Sequence, residues 1–153
     1  MPFISVTRLR LRSWRFLPQF LWYTIASARQ AQRAEGFLSG KLAGDSHLAF
    51  WTLTSWSDDR AMRQYRGAAA HGRAMRKLPD WCDEAATANW SVEAAQLPTI
   101  EEAYAQLVAH GRPSRVNHPT QDHINRRIPA PKVGRGTKDL QPIRRATAAN
   151  NHI

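Results

Sequence analysis

HLAFWTLTSW, His47 to Trp56, carries large apolar side chains on both faces of an extended strand: Leu48, Phe50 and Trp56 on one, Ala49, Trp51 and Leu53 on the other. A strand that is apolar on both sides is buried on both sides. The stretch therefore predicts the inner strand of a sheet with material packed on each face. One layer of helices accounts for one face, and something else must cover the other. Phe37 to Lys41 reads as the hairpin partner, joined through the turn residues Gly44-Asp45-Ser46.

Working outward, Pro2 to Arg12 alternates with period two, as a strand does: Ile4 and Val6 lead into Arg8, Arg10 and Arg12 on one face, opposite Phe3, Ser5, Thr7, Leu9 and Leu11. Ser13 offers a cap and Pro18 suits a first helical turn. Leu17, Phe20, Leu21, Thr24, Ala28 and Ala31 then form a helical stripe that Gly36 ends. Beyond Trp56, Ser57 followed by Asp58 and Asp59 reads as a helix start, a cap with two acids at the positive end of the dipole. Met62, Tyr65 and Ala69 supply that helix's inner face. The pattern breaks between Gly67 and Gly72, and a second piece carries His71, Met75 and Leu78 at i, i+4 and i+7, with Pro79 as its stop. Trp81 to Glu93 reads as a fourth strand, with Ala86, Ala88, Trp90 and Val92 on one face. A capping box from Thr99 to Glu102 opens a last helix that runs to His110 before Gly111.

Strand, helix, strand, strand, helix, strand is the split βαββαβ order of ferredoxin-like α+β folds. Residues 1–95 are expected to form that domain, 96–110 a C-terminal helix, and 111–153 a basic, Pro-containing, partly disordered extension. Helices on one side would leave the other sheet face exposed and aromatic, which predicts a partner. The simplest partner is a second copy, sheet against sheet about a two-fold axis.

Composition agrees with a single folded domain. Among 153 residues, 42% are hydrophobic and six are Trp, too many for a disordered chain. The lone Cys82 excludes a disulfide scaffold and a cysteine-based zinc site, and reads as a buried, inert thiol in a reducing compartment. The formal charge of +10 is uneven. Residues 111–153 hold nine Lys/Arg against Asp122 and Asp139, which is +7, and contain no aromatic residue. Such a segment cannot offset its own ordering entropy, so it is either disordered or strapped along a folded body. The arginines before Phe16–Ala28 give the outline of a signal peptide, but Pro18 and Gln19 interrupt the apolar run. The run is also shorter than the ~20 residues of a membrane helix. The expectation is a cytoplasmic protein with no membrane partner.

Phe50-Trp51-Thr52-Leu53-Thr54-Ser55-Trp56, followed by Ala61-Met62, His71, Ala74-Met75 and Trp81-Cys82-Asp83-Glu84, resembles the dimeric α+β barrel superfamily. The resemblance extends over roughly residues 1–130 and includes Gly111-Arg112 and Val116-Asn117-His118-Pro119. It points to an uncharacterised branch, a domain of unknown function related to antibiotic-biosynthesis monooxygenases and more distantly to the haem-dependent spheroidene monooxygenase. It implies a homodimer with a cavity between each sheet and its helices. Some relatives in this superfamily oxidise electron-rich aromatic substrates without a cofactor, and others bind haem through a histidine near the second helix.

The position matching that histidine is His71, which the resemblance implies as a haem ligand or a catalytic base; neutral imidazole suits both tasks. Trp51 and Trp56 are candidates for the flat walls of a substrate pocket, or else core. Tyr65 and Arg66 are candidate polar groups at its mouth. No metal site is expected: His110, His118 and His123 have loose metal-like spacing but no carboxylate in register. The resemblance, together with these residues, implies a monooxygenase-like protein acting on a small hydrophobic or aromatic ligand, with either no cofactor or haem. The alternatives are a noncatalytic dimeric binding module, or a weak nonspecific nucleic-acid binder through the basic tail. That tail lacks aromatics to stack on bases.

Overall fold

β1 (Phe3–Leu11) lies between two antiparallel neighbours, β3 (Ala49–Trp56) and β4 (Cys82–Ser91). In the computed structural model, which describes residues 1–133 and 136–143, the sheet order is β5-β4-β1-β3-β2-β6. β2 is Phe37–Gly44, and the short edge strands are β5 (Arg112–Pro113) and β6 (Thr137–Leu140). The inner four strands have the ferredoxin-like order, and the C-terminal extension adds one strand to each edge. Helices α1 (Leu17–Arg33), α2 (Asp59–Arg66) and α3 (Ala69–Trp81) cover one face.

The other face is not exposed. Ile4, Val6, Trp51, Leu53 and Ala88 pack there against Ala103 and Leu107 of α4 (Ile100–His110), with Ile128 and Val133 of the extension beside them. The expected partner for this face is the chain's own last third. Sheet-to-sheet pairing with a second copy loses the observation that suggested it. The extension is strapped down by its backbone: Ser114 N–H donates to Ala85 O (2.9 Å), Asn117 N–H to Pro79 O (2.9 Å), Lys132 N–H to Asp45 Oδ1 (2.8 Å) and Ile143 N–H to Gln32 O (2.8 Å). Residues 144–153, part of the segment expected to be disordered, lie outside the described residues.

Several element boundaries differ from the sequence expectation. Asp58, rather than Ser57, caps α2, its carboxylate accepting from Ala61 N–H at 2.8 Å. α3 continues through Pro79 to Trp81. The buried Trp81 ring, edge-on to Phe20 (6.2 Å) and tilted on Tyr23 (5.4 Å), anchors the turn that contains the proline. β4 accordingly begins at Cys82 and ends at Ser91. β2 extends to Gly44, while Ser46–Leu48 form a short 3-10 turn in which His47 and Leu48 take positive φ (58° and 63°). The α4 capping box forms as read, with both Thr99 and Glu102 side chains engaged.

One buried ion pair ties β1 to β4 under the extension. Arg8 Nη1 meets Glu84 Oε1 at 2.9 Å, and Thr120 Oγ1 donates to Glu84 Oε2 at 2.7 Å. Burial pushes the Glu84 pKa up, but the Thr120 hydroxyl and the Arg8 and Arg10 cations outweigh it and hold the carboxyl below its usual range. A depressed carboxylate contributes stability above its unfolded pKa and loses it as pH falls through the folded value. Glu84→Ala should cost about 3–5 kcal/mol in urea denaturation, because it strands Arg8 in the interior. The Arg8→Met/Glu84→Leu double variant should recover most of that loss and show a flatter acid limb.

Candidate functional site

The strand pleat places polar residues at the centre of the helix-covered face. Ser5 of β1 stands opposite Thr54 on β3 and Asn89 on β4, and Thr7 stands opposite Thr52 and Thr87. Two rows of three short polar side chains thus form a floor, flanked by apolar residues such as Phe3, Leu9, Phe50 and Trp56 at the strand ends. Above this floor is a cavity of about 150 Å³. Its roof is Tyr23, Ser27 and Ala31 of α1, Met62 and Tyr65 of α2, and His71, Met75 and Leu78 of α3. Leu140 of β6 and Ser114, just past β5, reach it from the two sheet edges.

His71 is held from two sides. Its ring Nδ1 lies 2.8 Å from the Arg66 carbonyl, which only accepts, so Nδ1 carries the proton. Its backbone N–H donates to Gln30 Oε1 (2.9 Å), while Gln30 Nε2 donates to Ala68 O (2.8 Å) and Tyr65 O (3.2 Å). Gln30 thereby pins the α2–α3 junction to α1. At that junction Ala69 has φ +46°, and a Cβ on Gly72 would sit 2.7 Å from Gly67 O. Only glycine at 72 lets the two helices meet this closely. Burial lowers the His71 pKa; the Arg66 carbonyl bond opposes this, the Arg66 cation adds to it, and the net shift is downward. The imidazole is therefore neutral near pH 7, with the Nε2 lone pair as the basic position.

The Tyr65 ring stacks on Trp56 (4.9 Å, 30°) and lies 4.6 Å from His71. Its hydroxyl donates to Ser27 O at 3.1 Å, and burial pushes the phenol well above its ordinary pKa, so it stays a donor. Two buried polar atoms on the cavity wall, Ser27 Oγ and Asn89 Oδ1, have no hydrogen-bond partner among the described residues. Such groups are costly unless something polar meets them.

The sequence candidates fall into separate places. His71, Tyr65 and Arg66 line the cavity together. Trp56 is fully buried behind Tyr65, its indole N–H donating to Thr54 Oγ1 at 2.9 Å, and backs the wall without lining it. Trp51 is on the opposite face of the sheet, fully buried under the extension, with its indole N–H on Asp45 Oδ2 at 3.0 Å. It cannot wall this pocket, because its parity along β3 turns it away. Cys82 is buried, and burial together with Asp83 pushes its thiol up to about 12. Sequence reasoning missed the polar floor, Ser27 and Gln30. The signal for the floor was present in Phe3-x-Ser5-x-Thr7-x-Leu9 and Phe50-x-Thr52-x-Thr54-x-Trp56, where polar residues sit mid-strand on an otherwise apolar face.

A haem does not fit this site. A cavity of about 150 Å³ holds a single small ring, whereas a porphyrin is several times larger. The Nδ1 bond to the Arg66 carbonyl leaves His71 only Nε2 for any ligand.

The fold is an α+β ferredoxin-like one, the fold also seen in antibiotic-biosynthesis monooxygenase-like proteins. The Mycobacterium tuberculosis protein Rv0793 superposes with a TM-score of 0.56 at 12% identity, covering 63% of this chain and all (100%) of its own. SnoaB of Streptomyces nogalater, a cofactor-independent oxygenase, superposes at 0.51 with 14% identity over 61% of this chain and 94% of its own. A Nitrosomonas europaea protein provisionally assigned as an antibiotic biosynthesis monooxygenase gives 0.54 at 10% identity, covering 60% and 90%. No curated protein matches the sequence. Residues 15–115 match the model of the domain of unknown function DUF3291, and the chain belongs to that family.

NMR titration should place the His71 pKa below the ordinary histidine value, and Arg66→Ala should move it upward by removing a neighbouring positive charge.

Proposed function

We propose that this protein is a cofactor-independent monooxygenase-type enzyme acting on a small aromatic or similarly activated hydrophobic molecule held between sheet and helices. The observation that carries the reading is His71: neutral, fixed by two hydrogen bonds, and placed on a cavity whose polar floor faces it. SnoaB, described as a cofactor-independent oxygenase, has the same fold. Likeness at this identity speaks for fold alone, so the chemistry rests on the residues.

In this reading His71 Nε2 takes a proton from an acidified C–H of the substrate, and the electron pair left on carbon reduces O2. Carbon and oxygen combine to a hydroperoxide. The imidazolium, a better acid for its lowered pKa, gives its proton to the peroxide. The neutral imidazole then removes the second proton of the same carbon, the O–O bond breaks as the C=O forms, and the imidazolium protonates the departing hydroxide. The balance is a methylene plus O2 giving a carbonyl plus water. The hydroxyls of Ser5, Thr7, Thr52 and Thr54 on the floor would stabilise charge on a substrate oxygen, and Met62, Met75 and Leu78 of the roof would limit the access of water. A noncatalytic module would use the same cavity for binding alone, without oxygen uptake.

The resemblance implies a homodimer. Because α4, Ile128 and Val133 already fill the second sheet face, the working unit we infer is one chain that closes its own sheet. Sedimentation should give a single species near 17.4 kDa; a stable species of twice that mass would overturn this.

A single-ring substrate with an acidic benzylic position should consume one O2 per turnover in the presence of a chelator. His71→Ala should lower kcat about 10²-fold or more, with the fold retained by circular dichroism. Equal rates in the variant would remove His71 from the reaction, and absence of any turnover across such substrates would leave the binding module.

A further inference from the structure

Immediately outside the cavity, between the end of α2 and the first turns of α3, is an open groove lined by Arg63, Arg66, Gly67, Gly72, Met75 and Arg76. Arg66 and Met75 also line the cavity, so these two side chains border both spaces. The floor of the groove at Gly67 and Gly72 is bare backbone, and the close approach of the helices keeps it so: a side chain at 72 would collide with Gly67 O.

The charge here is one-sided. From residue 60 to residue 79 the chain carries Arg60, Arg63, Arg66, Arg73, Arg76 and Lys77 and no Asp or Glu. Within the groove, Arg63 is engaged by Asp59 at 2.9 Å. Arg66 and Arg76 are exposed and have no carboxylate partner among the described residues. Positive residues near the end of α2 also complement its dipole, which accounts for Arg63 and Arg66. It does not account for Arg76, which is in the middle of α3 and meets the others across the groove.

We infer that the ligand of this cavity is an aromatic molecule with an anionic substituent: the ring enters the cavity past Met75, and the anion rests on Arg66 and Arg76 over the glycine floor. This rests on the cavity being the ligand site, as proposed above, and names the substrate class. Guanidinium groups bind carboxylate and phosphate through paired N–H donors, so either anion satisfies the chemistry. A cationic rim also draws anionic ligands toward the mouth. The ring alone is what about 150 Å³ holds, so a charged substituent has to stay outside, where the arginines are.

The test is equilibrium binding by calorimetry, without turnover, so its outcome is separable from that of the oxidation assay. The probes are phenylacetate, benzyl phosphate and the uncharged phenylacetamide. The acids should bind at least tenfold more tightly than the amide, with the preference falling as salt is raised. In the Arg66→Ala/Arg76→Ala variant that preference should vanish, with the fold retained by circular dichroism. Arg73→Ala removes an exposed arginine of α3 outside the groove and should leave the preference intact. A stronger preference for benzyl phosphate would identify phosphate as the anion, and the reverse a carboxylate. Equal affinity for acid and amide, or an equal effect of Arg73→Ala, would overturn the inference and leave the oxidation reading standing. Failure of all three probes to bind would overturn both.

Discussion

The structure turns on the parity of β1. Hydrogen-bonded on both edges, to β3 and to β4, this strand sends odd-numbered residues to the helices and even-numbered residues to the opposite face over Phe3 to Arg10. Its neighbours follow in register, so one choice of alternation sorts three strands at once. Ser5 and Thr7 bring Thr52, Thr54, Thr87 and Asn89 into the cavity floor, while Val6 and Arg8, on the same face as Ile4, bring Leu53, Ala88 and Trp51 into the second core. A slip of one residue would exchange the two sets and put hydroxyls in the core.

That sorting explains what was legible beforehand. The period-two strands, the break between α2 and α3 and the α4 capping box were all visible in the sequence, because each depends on neighbours a few residues away. The demand that both faces of β3 be covered was also visible. What covers the second face was not. A tail with no aromatic residue left two alternatives open, disorder or strapping along a folded body; its described part is strapped, and it needs only Ile128 and Val133 in the core, since Ala103 and Leu107 of α4 complete the layer. The polar anchors of the tail, Thr120 on Glu84 and the Lys132 amide on Asp45, pair residues 36 and 87 positions apart. No local pattern announces such contacts.

The site divides along the same line. His71, Tyr65 and Arg66 come together because they share one short helical segment and its junction. Trp51 and Trp56 are five residues apart on one strand and therefore face opposite sides of the sheet; treating both as walls of one pocket conflicts with the pleat. Gln30 was invisible for a different reason. It is a polar residue in a helix that looked ordinary, and its role appears only when α1 lies against the α2–α3 junction and its amide supplies the hydrogen bonds that hold His71.

Leu140 and Ser114 give the cavity walls from both edges of the sheet, and this orders events during synthesis. The helices and inner strands are complete by Ser91, but the pocket has one wall missing until β6 has been made and has paired with β2. A chain folded only as far as Ser91 would have the imidazole and arginines beside a pocket that lacks its Leu140 wall. Until residue 140 has left the ribosome, the sheet edge at β2 and the incomplete pocket are open to water and to other chains, a window in which a chaperone has a defined surface to shield.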